Sequence, residues 1–345
     1  MFFNDSVYGT FTIREPILQE LIASEPLQHL QDISMAGYAE PFFPNSYHSR
    51  FEHSVGVCFL LSQFGASLEE QIAGLLHDIS HTAFSHCVDY ALAEGSQTHH
   101  TFQDDVFETF VTHSVIPEIL QKYQFKSEDF FDESRFPLLE RALPGLCADR
   151  IDYVLRAGIH HRIIDRSTSQ EFLDALCIID RQWIFTDSQL ARKFAEFFRH
   201  TNDKYYSGLE SAVMLCSVGG LLKHSLSQGY INRDELFQSD RQVLAKITPH
   251  LQEDLHLLQY WQQMNGRVEV QNNPQNFDVL VRCKSRIVDP LCLVGGQVQT
   301  LSQYHSDWQD ALAKDSQPRE PVPITKSRPE IPLLPGILLD TLSPG

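Results

Sequence analysis

No stretch of this chain reaches the ~18 uninterrupted apolar residues that a membrane-spanning helix needs. Nor does it contain a Cys-x-x-Cys pair. Its seven cysteines (58, 87, 147, 177, 216, 283 and 292) are scattered and odd in number. Such usage predicts reduced, mostly buried thiols in a cytoplasmic protein rather than a disulfide framework. The opening residues, MFFNDSVYGTF, lack the basic start and long apolar stretch of a secretory signal. Basic charge is scarce as well: 27 Lys and Arg face 45 Asp and Glu, for a net charge of −18. A chain this acidic has no global attraction for a polyanion, so duplex nucleic acid is not expected as its primary ligand. A small anionic substrate stays admissible, because cations gathered in a cleft can outweigh the global field.

What the chain does have is histidine, 16 in 345 residues. The densest group is AGLLHDISHTAFSH (73–86), where an apolar run passes directly into His77, Asp78, His81 and His86. With 42% hydrophobic and 21% charged residues, the composition is that of a globular protein of one large or two ordinary domains.

Apolar periodicity predicts a mainly α protein over residues 1–265. SRFEHSVGVCFLLSQF (49–64) carries apolar residues at 51, 55, 59 and 60, and a second helical run covers 68–77. HTFQDDVFETFVTH (100–113) repeats the pattern, and 138–160 reads as helical on both sides of Pro144-Gly145. LCIIDRQWIFTD (176–187) predicts a β-hairpin, with helix resuming near 188. Residues 266–345 read as a small β-containing region: 267–271 and 277–283 alternate as strands joined by NNPQN, and two more flank Gly295-Gly296. A proline-rich tail follows and is expected to be extended. There is no internal repeat.

Arg50 and His53 share one face of the first helix. His77 and Asp78 are adjacent, and Asp149 follows in CADRIDYVLR with Tyr153 and Arg156 at i+4 and i+7. Two imidazoles and two carboxylates make a mixed nitrogen and oxygen donor set, suited to Mn, Fe, Zn, Co or Ni and less to Mg. Each piece alone has a plainer reading. His53 by itself is more often a hydrogen-bonded core histidine than a ligand. A His-Asp dipeptide also fits a helix end with a capping carboxylate, and Asp149 could pair with Arg150 or Arg156 on a solvated face. The order His, then His-Asp, then Asp, each embedded in helix-like sequence, is what raises the metal reading above these.

RFEHSVGV (50–57), HDISHTAFSH (77–86) and DRIDYVLR (149–156) resemble the three signature segments of the HD-domain phosphohydrolases. The branch they are most similar to is the deoxynucleoside triphosphate triphosphohydrolases of the sterile-alpha-motif/HD type. The likeness starts near residues 7–13, has its motif core at about 46–161 and fades after about 230. It implies an HD helical bundle, a homo-oligomer, and a metal held by His53, His77, Asp78 and Asp149. It further implies that Arg50, Arg150 and Tyr153 hold phosphate oxygens, with Arg156 on the same helix. His81 and His86 would lie against the scissile phosphate, with His86 as general acid. The i, i+3 neighbour Asp89 would orient that imidazole and raise its pKa. His86 could instead be a surface histidine beside an incidental Asp. His99 or His100 would supply one more active-site histidine, and spacing to Phe107-Glu108 favours His99. His160-His161 either line the same cleft or form a polar helix end.

Two departures bear on substrate. Where the family reads the sugar 3′-hydroxyl with a glutamine this chain has Met35, and where it has an aspartate this chain has Ala157. A thioether and a methyl replace neither hydrogen bond, so deoxynucleotide specificity is not carried over. The resemblance therefore implies a phosphohydrolase acting on a nucleotide or related phosphorylated small molecule. Two other readings stay open: a catalytically silent nucleotide-binding protein, and a two-metal HD enzyme (phosphodiesterase or oxygenase) in which His81 and His99/His100 bind a second ion. Ser80-His81 after His-Asp argues against the alarmone hydrolases, and no Gly-Tyr-Pro signature marks the cyclic-dinucleotide class.

Overall fold

The computed structural model describes residues 1–345 except Glu94, Ser96, Val268, Pro318, Arg319 and 327–345. A short antiparallel hairpin, β1 (Phe2–Asp5) and β2 (Gly9–Thr12), precedes helices α1 (Pro16–Ala23), α2 (Glu25–His29), α3 (Arg50–Gln63), α4 (Leu68–Leu76), α5 (Phe102–Thr112) and α6 (Ile116–Lys122). Next come α7 (Ala148–His160), α8 (Arg166–Asp174), the hairpin β3 (Leu176–Ile179) and β4 (Gln182–Phe185), then α9 (Ser188–Thr201) and α10 (Leu209–Gln228). Helices α11 (Asp240–Ile247) and α12 (Leu255–Met264) lead into β5 (Val270–Asn272), β6 (Val279–Val281), β7 (Leu291–Val294) and β8 (Gln297–Thr300). Helices α13 (Leu301–Tyr304) and α14 (Ser306–Asp315) and strand β9 (Val322–Lys326) end the described chain. The protein is mainly α with small sheets, and no helix among the described residues is long and apolar enough to cross a membrane.

Local chemistry sets the helices that matter most. Ser49 starts α3 with a capping box: its hydroxyl accepts the Glu52 N–H at 3.2 Å, and the Glu52 carboxylate accepts the Ser49 N–H at 2.7 Å. Ser67 caps α4 with its hydroxyl alone, accepting the Glu70 N–H at 3.2 Å. Helix α3 is central, so polar Arg50 and His53 are buried along with Val55, Val57 and Leu60. Gly56 lets α7 approach it closely, since a Cβ there would lie 2.3 Å from Asp152 Oδ2 and from Arg156 Nη2.

Two apolar cores result. One gathers α1, α3, α4, α7 and α9; the other gathers α10, α12 and residues 83–91. The His-rich segment crosses from one to the other, with Ile79 in the first and Ala83 and Phe84 in the second. Its ionisable side chains therefore emerge at a seam between cores, where a cavity opens.

The hairpin at 176–187 forms, its Asp180-Arg181 turn at φ of 50° and 56°. Strands β7 and β8 pair around Gly295-Gly296, and β7 also runs parallel to β4, giving a four-stranded sheet ordered β3-β4-β7-β8. Three expectations are corrected. Residues 138–147 are not helical, because their backbone groups are taken elsewhere. Leu138 donates to Glu70 and accepts from the Trp183 indole, while Pro144 accepts from the Asp289 N–H. The 100–113 helix begins only at Phe102. Strands β5 and β6 do not pair with each other: β9 lies between them, in the order β5-β9-β6. The start of the proline-rich tail, including Pro323, is thus a strand; the rest of that tail lies outside the described residues.

Candidate active site

Residues from three elements meet where the two cores adjoin. His53 Nε2 lies 3.1 Å from His77 Nε2 and 3.1 Å from Asp149 Oδ1, and His77 Nε2 is 3.6 Å from the same oxygen. Each imidazole is oriented from behind. His53 Nδ1 is 2.8 Å from buried Asp152 Oδ1, and His77 Nδ1 is 2.8 Å from the Gly74 carbonyl oxygen. With Nδ1–H donated backward, both Nε2 atoms present lone pairs to a single point. Metal–ligand distances of about 2.0–2.2 Å place neighbouring donors roughly 3.0–3.6 Å apart in octahedral or tetrahedral geometry. The observed spacings match that range, so these residues fit a divalent transition metal.

Asp78 stands at the edge of this cluster, 3.6 Å from His53 Nε2 and 3.8 Å from His77 Nε2 through different oxygens. It also accepts from Arg50 Nη1 at 2.5 Å and His81 Nε2 at 3.2 Å. Burial works against these charges, but proximity to one another wins. Asp78 and Asp149 push His77 up to about 10, and Arg50, His77 and His81 hold Asp78 well below the usual carboxylate range.

A cavity of about 530 Å³ opens beside the cluster. Its wall includes Met35, Arg50, His77, Asp78, His81, His86, His100, Asp149, Arg150 and Tyr153. Each nitrogen of Arg50 has a partner: Nε donates to Ser85 Oγ at 2.7 Å and Nη2 to the Met35 carbonyl at 3.2 Å, besides the Nη1 bond to Asp78. Arg150 donates through Nη2 to Glu140 at 2.8 Å and through Nη1 to Gly145 O at 3.0 Å and to the Arg141 carbonyl, and its Nε is the one nitrogen without a partner among the described residues. Tyr153 Oη is buried without a hydrogen-bond partner. His86 Nδ1 lies 3.4 Å from Asp89 Oδ2, while its ring is 5.0 Å from that of His81 and 4.9 Å from that of His100. A second cavity of about 330 Å³ shares His77, Asp104, Glu133, Ser134 and Leu139 with the first, and its further wall includes Phe107, Phe130, Phe131 and Phe136.

Several sequence expectations change here. Arg156 does not reach the cavity: it is fully buried behind His53, bonded to Asp152 at 2.9 and 3.0 Å and to Asp5 at 2.8 Å. Ala157 is also buried in α7, away from the cavity wall, whereas Met35 does line it. Of the histidine pair, His100 faces inward and bonds Tyr90 Oη at 3.1 Å; His99 is exposed. Despite Asp89, the pKa of His86 is lowered rather than raised. Burial and then His81, Arg50, Arg286 and Lys284 depress it well below 6.5. His160 stacks on His48 and His161 on Tyr205, and neither lines the cavity. Among the described residues, no group containing His81, His86 or His100 gathers three donors as tightly as the first cluster. Glu140, Cys147 and Asp149 do, but the Arg150 guanidinium sits between Glu140 and Cys147, at 2.8 and 3.2 Å.

Sequence reasoning missed Asp152, Gln103, Glu140, Lys284 and Arg286. Asp152 had a local signal, the Asp and Arg four residues apart in DRIDYVLR. The others reach the cavity through tertiary contacts that no local pattern encodes.

Together, fold and site define a helical protein with a His/Asp cluster that could hold a metal, beside a cation-bearing cavity. The HD domain family matches residues 50–157. YdhJ of Bacillus subtilis is 33% identical over 289 residues, 83% of this chain and 87% of that protein. The metal-dependent phosphohydrolase cns2 of Cordyceps militaris is 31% identical over 241 residues, 68% of this chain and 69% of its own length. The deoxynucleoside triphosphate triphosphohydrolase SAMHD1 of Gallus gallus is 33% identical, over 35% of this chain and 23% of SAMHD1. The crystal structure of a phosphohydrolase from Bacteroides thetaiotaomicron shares the fold, with a TM-score of 0.69 at 18% identity, covering 94% of this chain and 98% of that one. The chain belongs to the HD-domain metal-dependent phosphohydrolase superfamily.

Proposed function

We propose that this protein hydrolyses a phosphoester or phosphoanhydride bond of a nucleotide or related phosphorylated small molecule in a metal-dependent reaction. The observation that carries the reading is the convergence of His53 Nε2, His77 Nε2 and Asp149 Oδ1 within 3.1–3.6 Å, beside a cavity that His77 and Asp149 line and that is large enough for such a ligand. His53, His77 and Asp149, with Asp78 at their edge, would hold Mn, Fe, Zn, Co or Ni in preference to Mg. When bound, such an ion supplies Lewis acidity toward water and a phosphoryl oxygen.

The protein's own residues account for the rest. Arg50 fixes the Asp78 carboxylate, and Ser85 fixes Arg50, so the donor set is pre-arranged before substrate arrives. The water oxygen forms a new bond to phosphorus as the bond to the leaving oxygen breaks, and that oxygen needs a proton. His86 faces the cavity with Asp89 behind its Nδ1. Burial, and then the neighbouring His81, Arg50, Arg286 and Lys284, depress its pKa. A phosphate dianion would counter the cationic part of that shift and so favour the protonated, general-acid form of His86. The SAMHD1 relatives support a nucleotide substrate. We further propose a homo-oligomeric enzyme with no duplex nucleic acid as partner.

The test is a panel of nucleoside mono-, di- and triphosphates and diesters, assayed with Mn, Fe, Co and Mg and scored for orthophosphate against tripolyphosphate. Turnover that depends on metal and is abolished by His77→Ala supports the reading. No turnover with any metal, together with unchanged metal content in His77→Ala, would sink it. Nucleotide binding without product would instead support the catalytically silent reading.

A further inference from the structure

We propose that Lys284 and Arg286, from the segment joining β6 to β7, are the clamp that grips the phosphate oxygens of the substrate. The inference rests on the phosphohydrolase reading only for the identity of its ligand. Both residues lie far beyond the stretch that matches the HD domain, yet both line the cavity.

The case begins with the arginines that the family resemblance would assign to this task. Arg50 spends its three nitrogens on Asp78, Ser85 and the Met35 carbonyl. Arg150 spends both terminal nitrogens on Glu140 and on backbone carbonyls of the 141–145 loop. Both guanidiniums are thus held by partners within the protein, and turning either one to grip phosphate side-on would cost some of those bonds.

The Arg286 guanidinium has no such commitments among the described residues. Its carbon lies 5.8 Å from the Tyr153 ring centroid, a cation–π contact that aims it along the cavity wall while leaving its in-plane donors available. Its backbone is anchored: the Arg286 N–H donates to Asn202 Oδ1 at 3.0 Å, and Asn202 Nδ2 donates to Ser285 Oγ at 3.2 Å. Asn202 is itself buried where α9 passes into a π-turn, so this segment is held by the helical core. Lys284 Nζ donates once, to the His99 carbonyl at 2.6 Å, and keeps two donors in reserve. Tyr153 Oη, buried and without a partner on the same wall, completes a cationic and hydroxylic rim. An anion at this rim would face the neutral rings of His86 and His100 and the metal cluster beyond them.

The experiment titrates orthophosphate into the manganese-loaded full-length protein by calorimetry, for the wild type and for Arg286→Gln, Arg286→Lys, Lys284→Gln and Arg150→Gln. Metal content and thermal midpoint are measured for each. Losing a charged hydrogen-bonding pair predicts phosphate affinity lower by about tenfold or more for Arg286→Gln and Lys284→Gln. Arg286→Lys recovers part of the loss, because it keeps charge but not the planar fork. Arg150→Gln lowers the thermal midpoint while changing affinity less than about threefold. The clamp is refuted if Arg286→Gln, folded and metal-loaded, binds phosphate within about twofold of wild type, or if the wild type fails to bind it at millimolar concentration. An Arg286-dependent phosphate site in a protein that hydrolyses nothing would uphold the clamp and refute the hydrolase reading. Wild-type turnover with KM unchanged in Arg286→Gln would do the reverse.

Discussion

His53 and Asp152 share a hydrogen bond of 2.8 Å at full burial, and Asp152 is gripped in turn by Arg156, which also reaches Asp5 on β1. The N-terminal hairpin is thereby wired to the back of a proposed metal ligand. A carboxylate behind an imidazole fixes its tautomer and raises its donor strength, and removing such a partner typically costs about 10–100-fold in metal affinity. Asp152→Asn is therefore expected to bind Mn or Zn more weakly by that factor while remaining folded. Competition with a chromophoric chelator measures it, and unchanged affinity would show that Asp152 serves only Arg156.

Gly56→Ala tests the same contact from the other helix. Its Cβ would lie 2.3 Å from both Asp152 Oδ2 and Arg156 Nη2, and these side chains have no room to retreat. Overpacking of this kind costs about 1–3 kcal/mol, and displacing Asp152 loosens His53 as well. We expect a lower urea midpoint together with weaker metal binding. A loss of stability alone would mean that the helices part without disturbing the carboxylate.

Much of this arrangement was legible from the chain. Helical periodicity located α3, α4 and α9, and the spacing of His53, His77-Asp78 and Asp149 pointed to residues that the fold does bring together. Other features were misread because helix-wheel reasoning assigns a face but not a neighbour. Arg156 shares a face with Asp149 at i+7, yet Asp152, one turn closer, captures it first. Residues 138–147 carry a helix-like apolar pattern, but their backbone is claimed by Glu70, Trp183 and Asp289, three partners remote in sequence. Lys284 and Arg286 were invisible for a similar reason, since contacts remote in sequence, among them those of the Asn202 side chain and the Tyr153 ring, tie their segment to the helices.

The two substrate-reading positions are predicted to behave differently when the family residues are restored. Met35 lines the cavity, so Met35→Gln places a new amide within reach of a bound sugar. We expect it to raise kcat/KM by up to about tenfold for nucleotides bearing a free 3′-hydroxyl relative to those lacking it. Ala157 is buried away from the cavity, so Ala157→Asp must bury a carboxylate with no cationic partner prepared for it. That variant is expected to lose several kcal/mol of stability, at roughly the scale of an uncompensated buried charge, with no gain in selectivity. Parallel denaturation curves and substrate ratios for the two variants decide the point.

Proton and metal should compete for the cluster, and the sign follows from the charges. In the metal-free site Asp78 and Asp149 overcome burial and raise His77 to about 10, and Asp149, Asp152 and Asp78 raise His53 as well. At pH 7 the empty site is therefore protonated, and a metal must displace at least one proton to reach the imidazole lone pairs. Apparent metal affinity is expected to rise about tenfold per pH unit for each proton released. The metal-free protein should show the opposite trend. A histidine whose folded pKa is raised stabilises the fold fully below its unfolded value near 6.5, and that contribution disappears as pH rises through about 10. Saturating metal should remove this alkaline weakening, since the bound form needs no proton. Calorimetry in buffers of different ionisation enthalpy counts the protons released, and thermal midpoints from pH 6 to about 10 with and without metal follow the stability. Zero proton release at pH 7 would mean that the imidazoles are already neutral and that the carboxylates around them are less ionised than the geometry requires.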